Sequence, residues 1–200
     1  GNVSVALSGG NGTVTVSGGS GAAVAGNGTA AVTVSGTQAQ VNAALAGLSF
    51  LPTANFNGAA SLSVVTSDGA LSDSDTIAIT VNAVNDAPVN TVPGAQSTNE
   101  DTARVFSAGN GNLISVNDGD GGNVTVTLTG TNGTTTVTAG SGATVTGDGS
   151  GVVTVSGTLA QVNAALAGLS ILPNANFNGA ASLSVVTSDG ALSDRDTIAI

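Results

Sequence analysis

The sequence contains no cysteine, no histidine and no lysine. Without cysteine, disulfides and thiolate metal sites are impossible. Without all three residue types, the usual nucleophile and base pairs of enzymes cannot be built. Paired carboxylates could serve a glycosidase, but such a site needs an acid of raised pKa in a walled pocket, and the acids here lie in Gly- and Ser-rich stretches. We therefore expect a protein that is not an enzyme.

Positive charge is scarce, with 2 basic residues against 12 acidic ones and a net charge of −10. A chain without a basic patch cannot neutralise phosphates, so we expect no nucleic-acid partner. Anionic membrane surfaces are disfavoured for the same reason. No apolar run is long enough to insert into a membrane. No signal peptide starts at Gly1, so any targeting segment is expected outside these residues.

Aromatic residues make up 2 % of the chain, and all of them are phenylalanine. The core must therefore be built mainly from Val, Leu, Ile and Ala. Phe56 and Phe177 stand in the same repeated "ANFNG" and are expected to be buried anchors. Thirty glycines and many Ser, Thr and Asn residues make disorder the alternative. The hydrophobic content of 40 % and a regular alternation of β-branched residues favour a folded chain.

The chain repeats itself. "GNVSVALSGGNGTVTVSGG" at Gly1 returns as "GNVTVTLTGTNGTTTVTAG" at Gly122, an offset of 121 residues (122 − 1) that persists to the last residue. A period of this length corresponds to a whole domain rather than to a solenoid turn. The sequence thus predicts a first repeat over 1–84 without its opening strands, a linker at 85–88, and a second repeat over 89–200 without its closing "TVNAVNDAP".

Each copy shows apolar residues at every second position, as in "VSVAL" from Val3, which is typical of half-buried strands. Asn-Gly and Gly-Gly pairs predict turns with positive φ between the strands. "TQAQVNAALAGL" at 37–48 instead has helical spacing, with Thr37 as the N-cap and Gly47 near the end. The sequence predicts an all-β fold of tandem antiparallel β-sandwiches, each with one short crossing helix.

The acidic residues are clustered, and each cluster interrupts an alternating run, which predicts that each lies in a loop. The clustered acids are Asp68, Asp73, Asp75, Asp86, Glu100, Asp101, Asp118, Asp120, Asp189, Asp194 and Asp196. Asp148 stands alone and corresponds to Asn27 in the first copy.

The direction of successive strands predicts which loops share one end of the second domain. If a first strand near 89–97 leaves the linker, Glu100 and Asp101 lie at the far end. The next strands return, which brings Asp118 and Asp120 back beside Asn85 and Asp86. The turn of the last hairpin, with the acids from Asp189 to Asp196, must lie at the same end.

Several carboxylates in one place repel one another unless a cation lies among them. Oxygen ligands without His or Cys suit Ca²⁺, which takes six to eight oxygens in flexible geometry. The sequence therefore predicts calcium at this end of the second domain, with Asn85 and Asp86 as linker ligands and Pro88 fixing the exit of the chain. The alternative is that these are ordinary turn residues, because Asp, Asn, Ser and Gly dominate turns.

The motifs "VNDAPV", "TNEDTARVFS", "ISVNDGDGGNVTVTL", "LPNANFNGAASLSVVTSDG" and "SDRDTIAI" resemble the tandem cadherin-like and immunoglobulin-like repeats of giant secreted bacterial adhesins, including RTX-type adhesins. The resemblance covers nearly the whole chain. It implies that Asp86 is the linker acid of a cadherin-type junction and that Asp118 and Asp120 are its Asp-x-Asp pair. Glu100 resembles the acid that serves the next junction. Val84 and Ala87 replace polar linker residues, which leaves the number of ions open.

Two classes of function follow from the resemblance. The first is a calcium-rigidified spacer of an extracellular bacterial surface adhesin, whose partners are neighbouring repeats of the same chain. It would act in cell adhesion or biofilm formation. The second is a module that binds carbohydrate or copies of itself, for example in an extracellular filament. Buried rather than exposed Phe56 and Phe177 would favour the spacer, since sugar sites usually present exposed aromatic side chains.

Overall fold

The structure, a computed structural model, describes all 200 residues and contains two compact units. Unit 1 is Gly1–Val84 and unit 2 is Asn85–Ile200. Each unit contains one copy of the repeat, and residues 85–88 belong to unit 2. Two eight-residue helices are present, and neither is long and apolar enough to cross a membrane.

Unit 1 consists of two antiparallel sheets. Its strands are β1 (Asn2–Gly10), β2 (Gly12–Thr15), β3 (Ala23–Ala25), β4 (Ala31–Thr37), β5 (Ser49–Pro52), β6 (Gly58–Ser67) and β7 (Ser72–Val81). One sheet has the order β3-β4-β1-β6-β7, and the other pairs β2 with β5. Asn11, between β1 and β2, has a φ of 62°, which confirms the predicted positive-φ turn, with asparagine as the residue that adopts it.

The alternation of the sequence sets the core of unit 1. Val5 lies opposite Val34 on β4 and opposite Thr66 on β6, and Val5, Leu7, Val32 and Val34 are buried. Because side chains alternate between the faces of a strand, the intervening Ala6 and Thr33 face away from this core.

The helix α1 (Gln38–Leu45) follows β4 and precedes β5, so it crosses from one sheet to the other. The hydroxyl of Thr37 accepts a hydrogen bond from the Gln40 N–H, and the Gln40 side chain accepts one from the Thr37 N–H. This reciprocal pair is a capping box and confirms the predicted N-cap. Gly47 allows a close approach, because a Cβ there would collide with the Ser17 hydroxyl.

Unit 2 contains the same elements and three further strands before them. Its elements are β8 (Val89–Thr91), β9 (Arg104–Val105), β10 (Ser115–Asn117), β11 (Asn123–Thr131), β12 (Gly133–Thr136), β13 (Thr144–Thr146), β14 (Val152–Thr158), α2 (Leu159–Leu166), β15 (Ser170–Pro173), β16 (Ser182–Ser188) and β17 (Ser193–Ala199). The sheets are β13-β14-β11-β16-β17, β12-β15-β9 and β10-β8. Every pairing is antiparallel, which confirms the all-β sandwich class.

The additional strands of unit 2 enlarge its core. Phe106, Ile114 and Val116 come from this segment and are buried among Leu166, Leu169 and other apolar residues of the repeat. Phe106 is the largest fully buried side chain of the chain.

Three predictions were wrong in detail. The strand expected near 89–97 ends at Thr91, because Pro93 and Gly94 follow and proline has no N–H to donate to a sheet. The other two predictions concern the long hairpin of each unit, whose acids are not all in a loop. Asp73 and Asp75 lie in β7, and Asp194 and Asp196 lie in β17, since the turns are confined to 68–71 and 189–192.

The fourth difference concerns the two aromatic anchors. Phe56 and Phe177 are half-buried and belong to neither hydrophobic core. Each lies in the short loop before a long strand, where glycine and asparagine neighbours provide little apolar surface to cover a ring.

Candidate cation site at one end of unit 2

Residues 85–88 are attached to two turns of unit 2. The side-chain amide of Asn85 donates to Asp189 Oδ2 at 2.7 Å. The N–H of Asp86 donates to Asp120 Oδ2 at 2.6 Å. Pro88 is buried and leads directly into β8. Hydrogen bonds to carboxylates are stronger than neutral ones, so these contacts fix the start of unit 2 against both turns.

The turn after β10 contains the one buried carboxylate of the cluster. Asp118 is 6 % exposed. Its Oδ1 accepts from the Asp120 N–H at 3.0 Å, and its backbone carbonyl accepts from the Gly121 N–H at 3.3 Å. Its Oδ2 is buried and has no hydrogen-bond partner. A buried, unpartnered carboxylate oxygen is costly, because burial removes the water that would solvate its charge.

A second polar group lies where β8 meets the start of β17. The N–H of Asn90 donates to Asp194 Oδ2 at 2.8 Å, and the Thr187 hydroxyl donates to Asn90 Oδ1. Asn90 and Thr187 are buried, and Asn90 Nδ2 has no partner. Asp194 is therefore hydrogen-bonded to β8, the strand that follows Pro88.

The first acid in the turn of each long hairpin, Asp68 between β6 and β7 and Asp189 between β16 and β17, is stabilised in its charged form. The N–H groups of Leu192 and Ala191 and the side-chain amide of Asn85 lower the pKa of Asp189 below its ordinary value of 3.8, with Leu192 the largest cause. In unit 1 the N–H groups of Leu71 and Ala70 lower the pKa of Asp68 in the same way. Both groups are therefore carboxylates at neutral pH, and Asp189 alone has an added side-chain donor.

The other predicted site residues of unit 2 lie apart from this end. Asp101 has a φ of 57° and accepts from the Asn176 N–H at 2.9 Å. Asn176 precedes β16 and Asp189 follows it, so Glu100 and Asp101 lie at the opposite end of unit 2. Asp196 lies within β17 opposite Val185, away from the turn. In unit 1, Asp73 and Asp75 are exposed on β7.

Three residues of the site were not predicted from the sequence. Asn90 and Thr187 form the buried polar group. Asn163 on α2 is hydrogen-bonded to the backbone of β10, the strand that leads to Asp118. The Asn163 amide donates to the Val116 carbonyl and accepts from the Val116 N–H, both at 2.8 Å. The sequence "AQVNAAL" gives no sign that Asn163, the fifth residue of α2, makes this long-range contact. Thr187 could have been noticed, because it occupies an inward position of an alternating strand.

The chemistry of the donors suits a hard cation, although no three or more acidic side chains lie where together they could hold a metal ion. Asp118 Oδ2 is a buried anionic oxygen without a partner. The chain has only two basic residues, and the Arg104 guanidinium is hydrogen-bonded to the Gln96 side chain. A cation could therefore supply the counter-charge that the protein itself does not.

The isolated acid Asp148 has a local role. Its counterpart Asn27 accepts from the Val16 N–H at 2.8 Å and donates to the Val16 carbonyl at 3.2 Å. Asp148 accepts a hydrogen bond from the Val137 N–H at 2.9 Å. A carboxylate has no hydrogen to donate, so the Val137 carbonyl receives no hydrogen bond from Asp148.

We expect Asp148→Asn to raise the free energy of unfolding of unit 2 by about 1 kcal/mol, because it restores the second hydrogen bond. Urea denaturation of the two proteins measures the difference. The reciprocal change, Asn27→Asp, should destabilise unit 1 by a similar amount. If Asp148→Asn has no effect or destabilises unit 2, the carbonyl of Val137 is not the missing partner.

Comparison with known proteins finds no matching family model and no matching curated protein. Solved structures with weak similarity include the endo-fucoidan hydrolase MfFcnA9 from glycoside hydrolase family 107, with 17 % identity over 94 % of this chain and 27 % of that chain, at a TM-score of 0.29. The related hydrolase MfFcnA4 has 21 % identity over 95 % of this chain and 23 % of that chain, at a TM-score of 0.28.

A further similar structure contains manganese lipoxygenase of Gaeumannomyces graminis and part of zonadhesin of Komagataella pastoris. It has 14 % identity over 98 % of this chain and 80 % of that chain, at a TM-score of 0.29. The chain thus spans about a quarter of the length of the hydrolase chains.

Proposed function

We propose that this chain is a non-enzymatic structural repeat of a large extracellular bacterial surface adhesin, in which calcium stiffens the array that extends an adhesive tip. It would act in cell adhesion or biofilm formation. The observation that carries the proposal is the buried Oδ2 of Asp118, which has no partner at the end of unit 2 where Asp86, Asp120 and Asp189 also lie.

Asp118 is the residue proposed to anchor the ion, with Asp86, Asp120, Asp189 and the Asn85 carbonyl or amide oxygen as further oxygen donors. Calcium supplies a divalent positive charge and accepts six to eight oxygen ligands. Asp118 and Asp120 are held in one turn by the Asp120 N–H, and Asp189 is held by the backbone of its own turn. The protein therefore contributes a partly fixed set of oxygens, which lowers the entropic cost of binding.

Calcium binding at this end is proposed to limit motion between successive repeats. Asn85 and Asp86 are attached to unit 2, while β7 ends at Val81. Only three residues, 82–84, separate the two, and Pro88 restricts the residue before it to extended conformations. Removing the mutual repulsion of Asp86, Asp120 and Asp189 would strengthen this attachment.

Small-angle X-ray scattering of the 200-residue chain, in millimolar calcium and in chelator, tests the spacer function. We expect a narrower distribution of interatomic distances in calcium, because ligation of residues 85 and 86 removes freedom from the connecting segment. The effect should persist in moderate salt, since a bound ion is screened less than a surface pair. Distance distributions that are the same in both conditions would contradict the stiffening.

The alternative function is a module that associates with itself or binds carbohydrate. The half-buried Phe177 supports it, because it lines a cavity of about 120 Å³ together with Glu100, Asn178 and Pro173.

A further inference from the structure

Strand β8 carries its polar and apolar residues on the reverse of the usual sides. Val89 is 56 % exposed, whereas the next residue, Asn90, is 9 % exposed. The inward positions of the long strand β11 instead carry apolar residues such as Val124 and Val126. A buried amide costs free energy unless its polar atoms are hydrogen-bonded. An inward asparagine, at a position where a valine would pack, therefore needs a role of its own.

Asn90 is held from one side by the last hairpin of unit 2. Its N–H donates to Asp194 Oδ2 on β17 at 2.8 Å, and its Oδ1 accepts from the Thr187 hydroxyl on β16. These contacts set the position of the side chain and leave Nδ2, which carries two hydrogens, without a partner. Because the oxygen and the nitrogen lie on opposite sides of the amide carbon, the free donor is directed away from Thr187.

Asp118 presents the complementary atom. Its Oδ1 accepts from the Asp120 N–H, while its Oδ2 is buried without a partner. A carboxylate oxygen can only accept hydrogen bonds. Asn90 Nδ2 is thus a donor that lacks an acceptor, and Asp118 Oδ2 is an acceptor that lacks a donor. Both belong to side chains that are at least nine-tenths buried.

The register of β8 and β10 makes these two side chains diagonal neighbours. Asn90 lies opposite Val116, and Asp118 is the second residue after Val116. Because side chains alternate between the faces of a strand, Val116 and Asp118 share the inward face. Diagonal neighbours in a sheet are roughly 7–8 Å apart at Cα and somewhat closer at Cβ. The two atoms do not bond to each other, but a water molecule with hydrogen bonds of about 2.8 Å to each can span such a gap.

We propose that one internal water molecule joins Asn90 Nδ2 to Asp118 Oδ2, accepting from the amide and donating to the carboxylate. Buried waters in proteins occur where polar groups otherwise lack partners, and a single water satisfies both atoms here. Asn90 is then a positioning residue. Through the water it holds the Asp118 carboxylate in its buried orientation before any ion binds.

The consequence for calcium rests on the proposed function. Calcium sites include water among their oxygen ligands. A water oxygen has two lone pairs, so the same water can bind an ion with one and accept from Asn90 Nδ2 with the other. Asn90 would thus raise the affinity of the site without touching the ion. Loss of such an outer partner typically weakens metal binding about 10- to 100-fold.

Nuclear magnetic resonance of the unsubstituted 200-residue protein in chelator tests the water directly. The side-chain amide hydrogens of Asn90 should show a nuclear Overhauser contact with the sign of a long-lived, bound water. Asp118→Asn should shift the Asn90 amide resonances. The exposed Asn123 amide is the control and should show neither effect. Absence of the bound-water contact, or an Asn90 amide that Asp118→Asn leaves unmoved, would overturn the proposal.

Calorimetry with calcium tests the positioning role. Asn90→Val keeps a β-branched side chain at the inward position of β8, so the variant should fold. It should bind calcium at least about tenfold more weakly. Combined with Asp118→Asn, it should bind no more weakly than Asp118→Asn alone, because Asn90 acts through Asp118. Asn123→Ala, at an exposed asparagine of the same unit, should bind as the unsubstituted protein does.

The two experiments separate this proposal from the proposed function. Independent losses from Asn90→Val and Asp118→Asn would mean that Asn90 acts on the general structure of unit 2, which overturns the positioning role. A bound water together with unchanged calcium affinity in Asn90→Val overturns that role as well, but leaves the calcium spacer standing. If the unsubstituted protein binds no calcium, the proposed function fails, while the measurement in chelator still decides whether the water is present.

Discussion

Replacing Phe106 by alanine is expected to lower the free energy of unfolding of unit 2 by about 3–5 kcal/mol. The ring is 0 % exposed and is the largest fully buried side chain of the chain. Its N–H also donates to the Leu169 carbonyl at 2.7 Å, so the residue joins the segment 88–117 to the repeat through side chain and backbone together. A core built almost without aromatic residues has few large side chains to compensate for the cavity.

Guanidinium denaturation, with hydrogen exchange to assign each transition to its unit, measures this effect. Phe177→Ala is the matched control, because it is the same substitution in the same unit at a half-buried position outside the core. We expect a loss of about 1 kcal/mol for the control, in proportion to its smaller buried area. Equal losses from the two changes would show that the segment 88–117 contributes little to the stability of unit 2.

The predicted fold follows from short-range signals that the structure preserves. Alternating valines specify one buried face of each strand, and the capping box at Thr37 and Gln40 begins the helix where the spacing changes. These signals act over fewer than ten residues, and nothing in the structure opposes them. The same signals occur in both copies of the repeat, so the prediction does not depend on a chance pattern in one of them.

The details that sequence reasoning missed depend on long-range contacts. The acids of "SDRDTIAI" predict a loop followed by a strand, but the pairing of β17 with β16 begins at Ser193 and includes Asp194 and Asp196. Likewise, the exposed Ile77 has the same alternating pattern as the buried Ile198. Periodicity shows which face of a strand is apolar, but it cannot show whether another segment covers that face.

The candidate site was predicted in part for a similar reason. The direction of successive strands predicts that Asn85, Asp86, Asp120 and Asp189 share one end of unit 2. In the structure, hydrogen bonds join Asn85 to Asp189 and Asp86 to Asp120. Strand direction does not distinguish the buried Asp118 from the exposed Asp120, two residues away. That difference arises because Asn163 on α2 holds Val116 and thereby draws the chain before the turn into the core.

Asp118→Asn is expected to have opposite effects in the absence and in the presence of calcium. In chelator the change removes a buried charge whose Oδ2 has no partner, so the free energy of unfolding should stay the same or rise, by up to about 1 kcal/mol. In millimolar calcium the original protein should be stabilised, because the ion binds the folded state selectively. The variant should bind calcium at least about tenfold more weakly, since fewer charged ligands lower the affinity of a calcium site.

Isothermal calorimetry and thermal melting, each with calcium and with chelator, measure the two effects. Asp148→Asn is the control, because it makes the same change of charge in the same unit at an acid engaged only with the Val137 backbone; it should leave calcium affinity unchanged. A purely structural role for Asp118 predicts a loss of stability in both conditions and no calcium-dependent difference. Equal effects of the two variants on calcium affinity would mean that the unpartnered oxygen is not a ligand and that general charge reduction governs binding. If the unsubstituted protein shows no heat of calcium binding and the same melting temperature in calcium and in chelator, the proposed calcium-stiffened spacer is wrong.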